Sequence, residues 1–193
     1  MSEIALKYFP YYLREPSTKI MLFIDGENFA IRYKQVLNGA APLDHVTFEP
    51  DIYIWSSHLT LICACAQVVR KYYYTSVRGA QERIDEIVDS LKELGIEAPR
   101  VFKRTKNRGS KRVDITLSAD MLTHASSGNY DVAVLIAGDE DYVPLVEAVQ
   151  RQGCRVHLWF FTSGLSPVLK RICDDFQDLA EVLFEPDHKK IID

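Results

Sequence analysis

At 193 residues, 47% hydrophobic and 26% charged, the chain has the size and composition of one ordinary α/β domain with a sizeable core. No apolar run approaches the roughly 20 residues that span a bilayer. Met1–Ser17 carries an early acid and no clean apolar stretch, so neither a membrane span nor a signal peptide is expected. The formal net charge of −4 argues against general affinity for nucleic acid but leaves room for a local basic patch.

Residues 1–18 are rich in tyrosine and proline without a clear period and read as an arm. Ile20–Ile24 is a short continuous apolar run, fit for a strand buried on both faces. Asn28–Leu37 spaces Phe29, Tyr33, Val36 and Leu37 for a helix, with Gly39 as its stop. Residues 39–50 read as a loop, and Asp51–Ala66 as apolar and helical. Val68–Val77 is rich in β-branched residues and tyrosine and is read as a strand. Gln81–Leu94 sets Ile84, Ile87, Val88, Leu91 and Leu94 on one stripe before Gly95, which predicts a helix.

Pro99–Lys103 follows as a short strand, and Val113–Ala125 as a helix with Val113, Leu117 and Met121 on one face. Asp131–Ala137 is the fourth strand. Tyr142–Gln152 is a helix with Pro144 in its first turn and Gly153 beyond its end. Arg155–Phe161 is the last clear strand. A short helix near Pro167–Ile172 and a less regular segment to Phe184 precede a tail over 185–193. Strands alternate with helices, so the expectation is a mostly parallel sheet with helices on both faces in one domain. Cys63, Cys65, Cys154 and Cys173 lack zinc-site spacing and read as reduced thiols, which points to the cytoplasm.

In such a sheet the loops that follow the strands gather on one edge, where ligands bind. Asp25 follows the first strand in MLFIDGEN, and Asp139 and Asp141 follow the fourth in VLIAGDEDY. If those strands are neighbours, the acids meet, and Asp114 stands at the start of the helix after the third strand on the same edge. Carboxylates this close repel one another, and a hard divalent cation removes the conflict. Mg²⁺ takes oxygen ligands, keeps several waters and typically uses one or two carboxylates, and Mn²⁺ fits the same donors. Each acid alone also has a structural reading. Asp141 can cap the helix from Tyr142, Asp114 can favour a helix N-terminus, and Asp25 can serve the turn at Gly26.

RVFKRTKNRGSKRVD, residues 100–114, is basic throughout until Asp114. Lys103, Arg104, Lys106, Arg108, Lys111 and Arg112 would bring the phosphates of a polyanion to the acidic edge. A solvated charged loop is the plainer reading of the same run. Tyr72, Tyr73 and Tyr74 are candidates for a base-stacking surface, although at least one must face the core. The five histidines form no spaced set, and His157, within a strand, is expected to be packed.

MLFIDGENF, KRVDITLSADML, YDVAVLIAGDEDYVPLVEAV and LSPVLKRICDDFQDL, in order from about Ile20 to about Leu179, resemble the NYN family, the LabA-like branch of the PIN-domain nucleases. The resemblance implies a PIN-like three-layer α/β sandwich with strand order 3-2-1-4-5. It also implies a Mg²⁺- or Mn²⁺-dependent ribonuclease site. By position Asp25 matches the first metal-binding aspartate, Asn28 the asparagine after it, Asp114 the aspartate of the next helix, and Asp139 and Asp141 the pair after the fourth strand. Asp120 coincides with a frequent family acid, but on an ideal helix it lies about 240° around from Asp114.

The expected activity is endoribonucleolytic cleavage of single-stranded or structured RNA, leaving a 5′-phosphate. Asn28 would steady Asp25 or touch phosphate. The alternative is a regulatory module that keeps the acidic edge and binds RNA or a protein without cutting. A Toprim-like phosphotransfer site would instead rest on Glu27 with Asp139 and Asp141. Self-association or a protein partner is compatible with either of the first two.

Overall fold

A computed structural model describes residues 17–37, 42–63, 66–104 and 109–184. Most of the N-terminal arm, the tail over 185–193, Gly39 and Cys65 lie outside the described residues.

The continuous apolar run near the start becomes β1 (Lys19–Asp25), buried from Ile20 onward. Its pleat sends Ile20, Leu22 and Ile24 into one core and Met21 and Phe23 into another. Only a strand with helices on both sides needs such two-faced hydrophobicity. After β1 come α1 (Gly26–Leu37), the hairpin β2 (Val46–Glu49) and β3 (Tyr53–Ser56), α2 (Ser57–Ile62), β4 (Gln67–Val77), α3 (Gln81–Glu93) and β5 (Ala98–Lys103). The second half holds α4 (Gly109–Ser126), β6 (Val132–Ile136), a 3₁₀ turn at Glu140–Tyr142, α5 (Val143–Arg151) and β7 (Arg155–Phe160). It closes with α6 (Pro167–Ile172), β8 (Asp175–Asp178) and α7 (Ala180–Leu183).

The main sheet has six strands in the order β5-β4-β1-β6-β7-β8, and every pair is parallel. The five strands anticipated in the sequence thus lie third, second, first, fourth, fifth. β8 adds a sixth at the edge, drawn from the segment that had no clear period. One face of the sheet packs Phe29, Ala30 and Tyr33 of α1 and Ile87 and Leu91 of α3. The other packs Val113, Leu117 and Met121 of α4 with Val146 and Val149 of α5. The helix stripes read from the sequence are therefore the surfaces that close the two cores.

The region 39–66 departs from expectation. In place of a loop and one long helix, a two-stranded antiparallel hairpin pairs Glu49 with Tyr53 and Val46 with Ser56. Asp51 turns it with a positive φ of 60°. Tyr53, Ile54, Trp55 and Ser56 are all buried, so burial on both faces erased the alternation that marks a strand. Ser56 then caps α2 by accepting the His58 N–H. Among the described residues, no helix is long and apolar enough to cross a membrane.

Candidate active site at the sheet edge

β1 and β6 lie side by side, with Ile24 opposite Ile136, so the turns after them leave the sheet at one edge. In each turn a glycine is packed against a ring. A Cβ on Gly26 would run into the Tyr73 ring, and one on Gly138 into the Phe160 ring. Asn28 ties the turns together, because its side-chain carbonyl accepts the Gly138 N–H at 2.9 Å. Its own backbone N–H donates to Asp25 Oδ1 at 3.0 Å. Asn28 therefore steadies Asp25 and aligns the second turn.

Asp25 is only 5% exposed. Its Oδ2 accepts the Tyr142 hydroxyl at 2.9 Å, and the same hydroxyl lies 3.2 Å from Asp114 Oδ1. Two carboxylates from distant parts of the chain thus converge on one phenol, which has a single hydrogen to give. Burial pushes the Asp25 carboxyl up to about 7 against the two hydrogen bonds, and the charges of Asp114 and Glu27 add to the rise. Asp114 is raised too, chiefly by burial, then by repulsion from Asp139, Glu27 and Asp141 once the Tyr142 bond is set against it. The charges of Asp139, Asp141 and Glu27 thus bear on Asp114, and those of Asp114 and Glu27 on Asp25. Tyr142 was missed in the sequence as a site residue. Its signal was its place at the end of GDEDY, where it read as the first residue of a helix.

The structural readings fare unevenly. Asp25 does cap α1. Asp114 does not begin a helix: α4 starts at Gly109, and its first turn holds no acid. The cap of the 3₁₀ turn is Asp139, which accepts the Asp141 N–H at 3.1 Å, and Asp141 caps nothing. Asp139 and Asp141 are both exposed at the rim.

Other expected residues lie elsewhere. Asp120 accepts the Tyr74 hydroxyl at 2.9 Å and stands 3.7 Å from Arg100, apart from the shared phenol. Tyr72, Tyr73 and Tyr74 are all core residues, so the stacking surface does not exist there. His157 is buried, and burial lowers it to about 4. Within the basic run, Lys103, Lys111 and Arg112 are exposed, with the Arg112 guanidinium 4.6 Å from the Phe102 ring centre. Arg104 instead turns inward. It pairs with Glu27 at 2.9 Å and donates to Ser76 at 3.0 Å. Ser76 in turn donates to Glu27, which is 8% exposed. Lys106 and Arg108 lie outside the described residues.

The donors at the edge are all oxygens, the set that suits a hard divalent cation. Among the described residues, no three His, Cys, Asp or Glu groups are placed to enclose one ion. Asp25 and Asp114, joined through Tyr142, match the one or two carboxylates that Mg²⁺ typically takes beside water.

A family model described as the NYN domain matches residues 19–180. No curated protein matches the chain. Among solved structures, a protein of unknown function, VPA0982, from Vibrio parahaemolyticus is similar, with a TM-score of 0.66 and 17% identity over 88% of this chain and 97% of its own. At that identity the likeness shows the fold.

Proposed function

The chain belongs to the NYN domain family, whose members are generally nuclease-like domains of RNA processing, and from that premise we propose that it is an endoribonuclease dependent on Mg²⁺ or Mn²⁺. The observation that carries the proposal is the meeting of Asp25 and Asp114 on the Tyr142 hydroxyl. Its bond to the Asn28 N–H gives Asp25 alone a structural role, but it does not account for a second carboxylate brought to the same phenol. The repulsion between them favours a site that receives positive charge.

Asp25 and Asp114 would hold the cation, with Asp139 and Asp141 reaching it directly or through water. When bound, the ion supplies a Lewis acid for the scissile phosphate and lowers the pKa of a water beside it. The protein's own groups do the rest. Tyr142 fixes the buried Asp25 and the half-buried Asp114, and Asn28 locks the turns that carry the acids. Asp141, exposed on the rim, would orient the attacking water and take its proton. Lys103, Lys111 and Arg112 steer the strand by charge. Attack on the phosphorus would break the P–O3′ bond, leaving a 5′-phosphate on one product and, after the departing oxygen takes a proton, a 3′-hydroxyl on the other. The free cysteines among the described residues suit a cytoplasmic setting.

Purified protein with end-labelled RNA and Mg²⁺ or Mn²⁺ tests the proposal directly. Cleavage is expected from the native chain and lost in Asp25→Asn and Asp114→Asn. Cleavage that persists in both variants would show that another protein or another site is responsible.

A further inference from the structure

Next to the acids lies a cavity of about 310 Å³, lined chiefly by Arg78, Arg83, Arg104, Ser76, Asp51 and Ile52. That volume is at the small end of ligand pockets, enough for a phosphate and part of its sugar. Four elements meet here: the ends of β4 and β5, the first turn of α3, and the tip of the β2–β3 hairpin.

Two of the arginines are held in place from behind. Arg83 is clamped by Glu49 at 2.7 Å and Glu86 at 3.1 Å. Arg104 is clamped by Glu27 at 2.9 Å and Ser76 at 3.0 Å. Each clamp uses some of the five N–H donors of a guanidinium, so the planes are fixed while donors remain. Asp51, the acid of the lining, is matched by Lys34 at 3.3 Å. Arg78 is different. It is exposed directly after β4 and has no ion pair or hydrogen bond among the described residues. An unmatched guanidinium beside two immobilised ones is an arrangement that recognises a phosphate.

Glu27 separates this cavity from the acids. On one side it binds Arg104 and Ser76; on the other its charge bears on Asp25 and Asp114. The cavity and the acid cluster are thus neighbours across one side chain. We infer that the arginine-lined cavity is a second phosphate subsite, which takes a backbone phosphate of the RNA strand beside the one presented to the acids. The inference rests on the nuclease reading for its substrate. It differs in needing no metal, because Arg78 supplies the positive charge of the lining that no carboxylate among the described residues matches.

The test is metal-free binding of a single-stranded RNA oligonucleotide, followed by fluorescence anisotropy in EDTA across a salt series. Arg78→Ala is expected to weaken binding about fivefold and to lower the salt slope by roughly 0.7, the value for one phosphate on a single strand. Arg78→Glu should weaken it further, and Arg78→Lys should restore most of it. Arg78 is exposed, so an unchanged melting temperature serves as the folding control. Equal affinity and equal slope for Arg78→Glu and the native chain would overturn the subsite. In that case loss of cleavage in Asp25→Asn would still leave the nuclease reading intact. Conversely, weakened binding by Arg78→Glu with no cleavage by the native chain supports the subsite and removes the nuclease reading.

Discussion

At the end of β1 the aspartate precedes its glycine, and at the end of β6 the aspartates follow theirs. Asp25 is therefore the last residue of a strand, drawn under the start of α1 and against Tyr142, and is 5% exposed. Asp139 and Asp141 come after Gly138, on a 3₁₀ turn that has already left the sheet, and both keep contact with water. The two turns share a residue type, a packed glycine and a common edge. They differ in whether the carboxylate pays a desolvation cost. A buried carboxylate is poised to gain from an arriving cation, whereas an exposed one adds charge cheaply and can handle water.

The largest effect that would break this contrast is on cleavage. Asp25→Asn is expected to reduce kcat by more than about a thousandfold, and Asp141→Asn by about a hundredfold, the low end for a single general-base or orienting contact. Equal losses measured in one RNA cleavage assay would erase the distinction between the turns.

The next effect is on stability. Asp25 is raised from 3.8 to about 7 in the folded chain, so between those values the native state binds more protons than the unfolded state. Stability should accordingly fall as pH rises from about 4 to about 7, and the full cost, a few kcal/mol, is present above that. Asp25→Asn removes the charge and keeps an acceptor for the Asn28 N–H. In metal-free buffer at pH 8 the variant should need more urea to unfold than the native chain, with the difference fading toward pH 4. A variant less stable than the native chain at pH 8 would mean that the buried charge is already compensated.

Smaller again are the glycines. Gly26→Ala and Gly138→Ala each force a methyl toward a ring and should cost about 1–3 kcal/mol. Gly26→Ala should cost more, because the Tyr73 hydroxyl is anchored to both the N–H and the carbonyl of Ile54 at 3.0 Å. Thermal melting of the two variants ranks them. The smallest expected change is in Tyr142→Phe, which keeps the ring and removes the shared hydroxyl. It should raise the metal concentration needed for half-maximal cleavage about tenfold, as the loss of a supporting hydrogen bond does. A metal titration of activity identical to that of the native chain would remove Tyr142 from the site.

Much of this was legible in the sequence, and the reasons are local. Ile20–Ile24 and Val132–Ile136 are buried on both faces, so their apolar runs needed no partner to be recognised. The stripe of α3 and the proline of α5 are equally local signals. The hairpin was not legible: β2 and β3 have four residues each, too few to show a period, and β3 is buried throughout. Asp120 illustrates a limit of position alone. It sits on the same helix as Asp114, yet the turn of that helix hands it to Tyr74.

By itself, then, the order of residues determined that strands alternate with helices and that aspartates stand where two of those strands end, because hydrophobic periodicity and strand boundaries are written over a few neighbouring positions. Only the tertiary structure decided which aspartate is buried, that Tyr142 serves two carboxylates, and that Arg104 faces Glu27 instead of solvent. Those outcomes depend on contacts across β1, β4 and β6, between residues far apart along the chain, where the cost of desolvating a charge is set by whatever the fold packs around it.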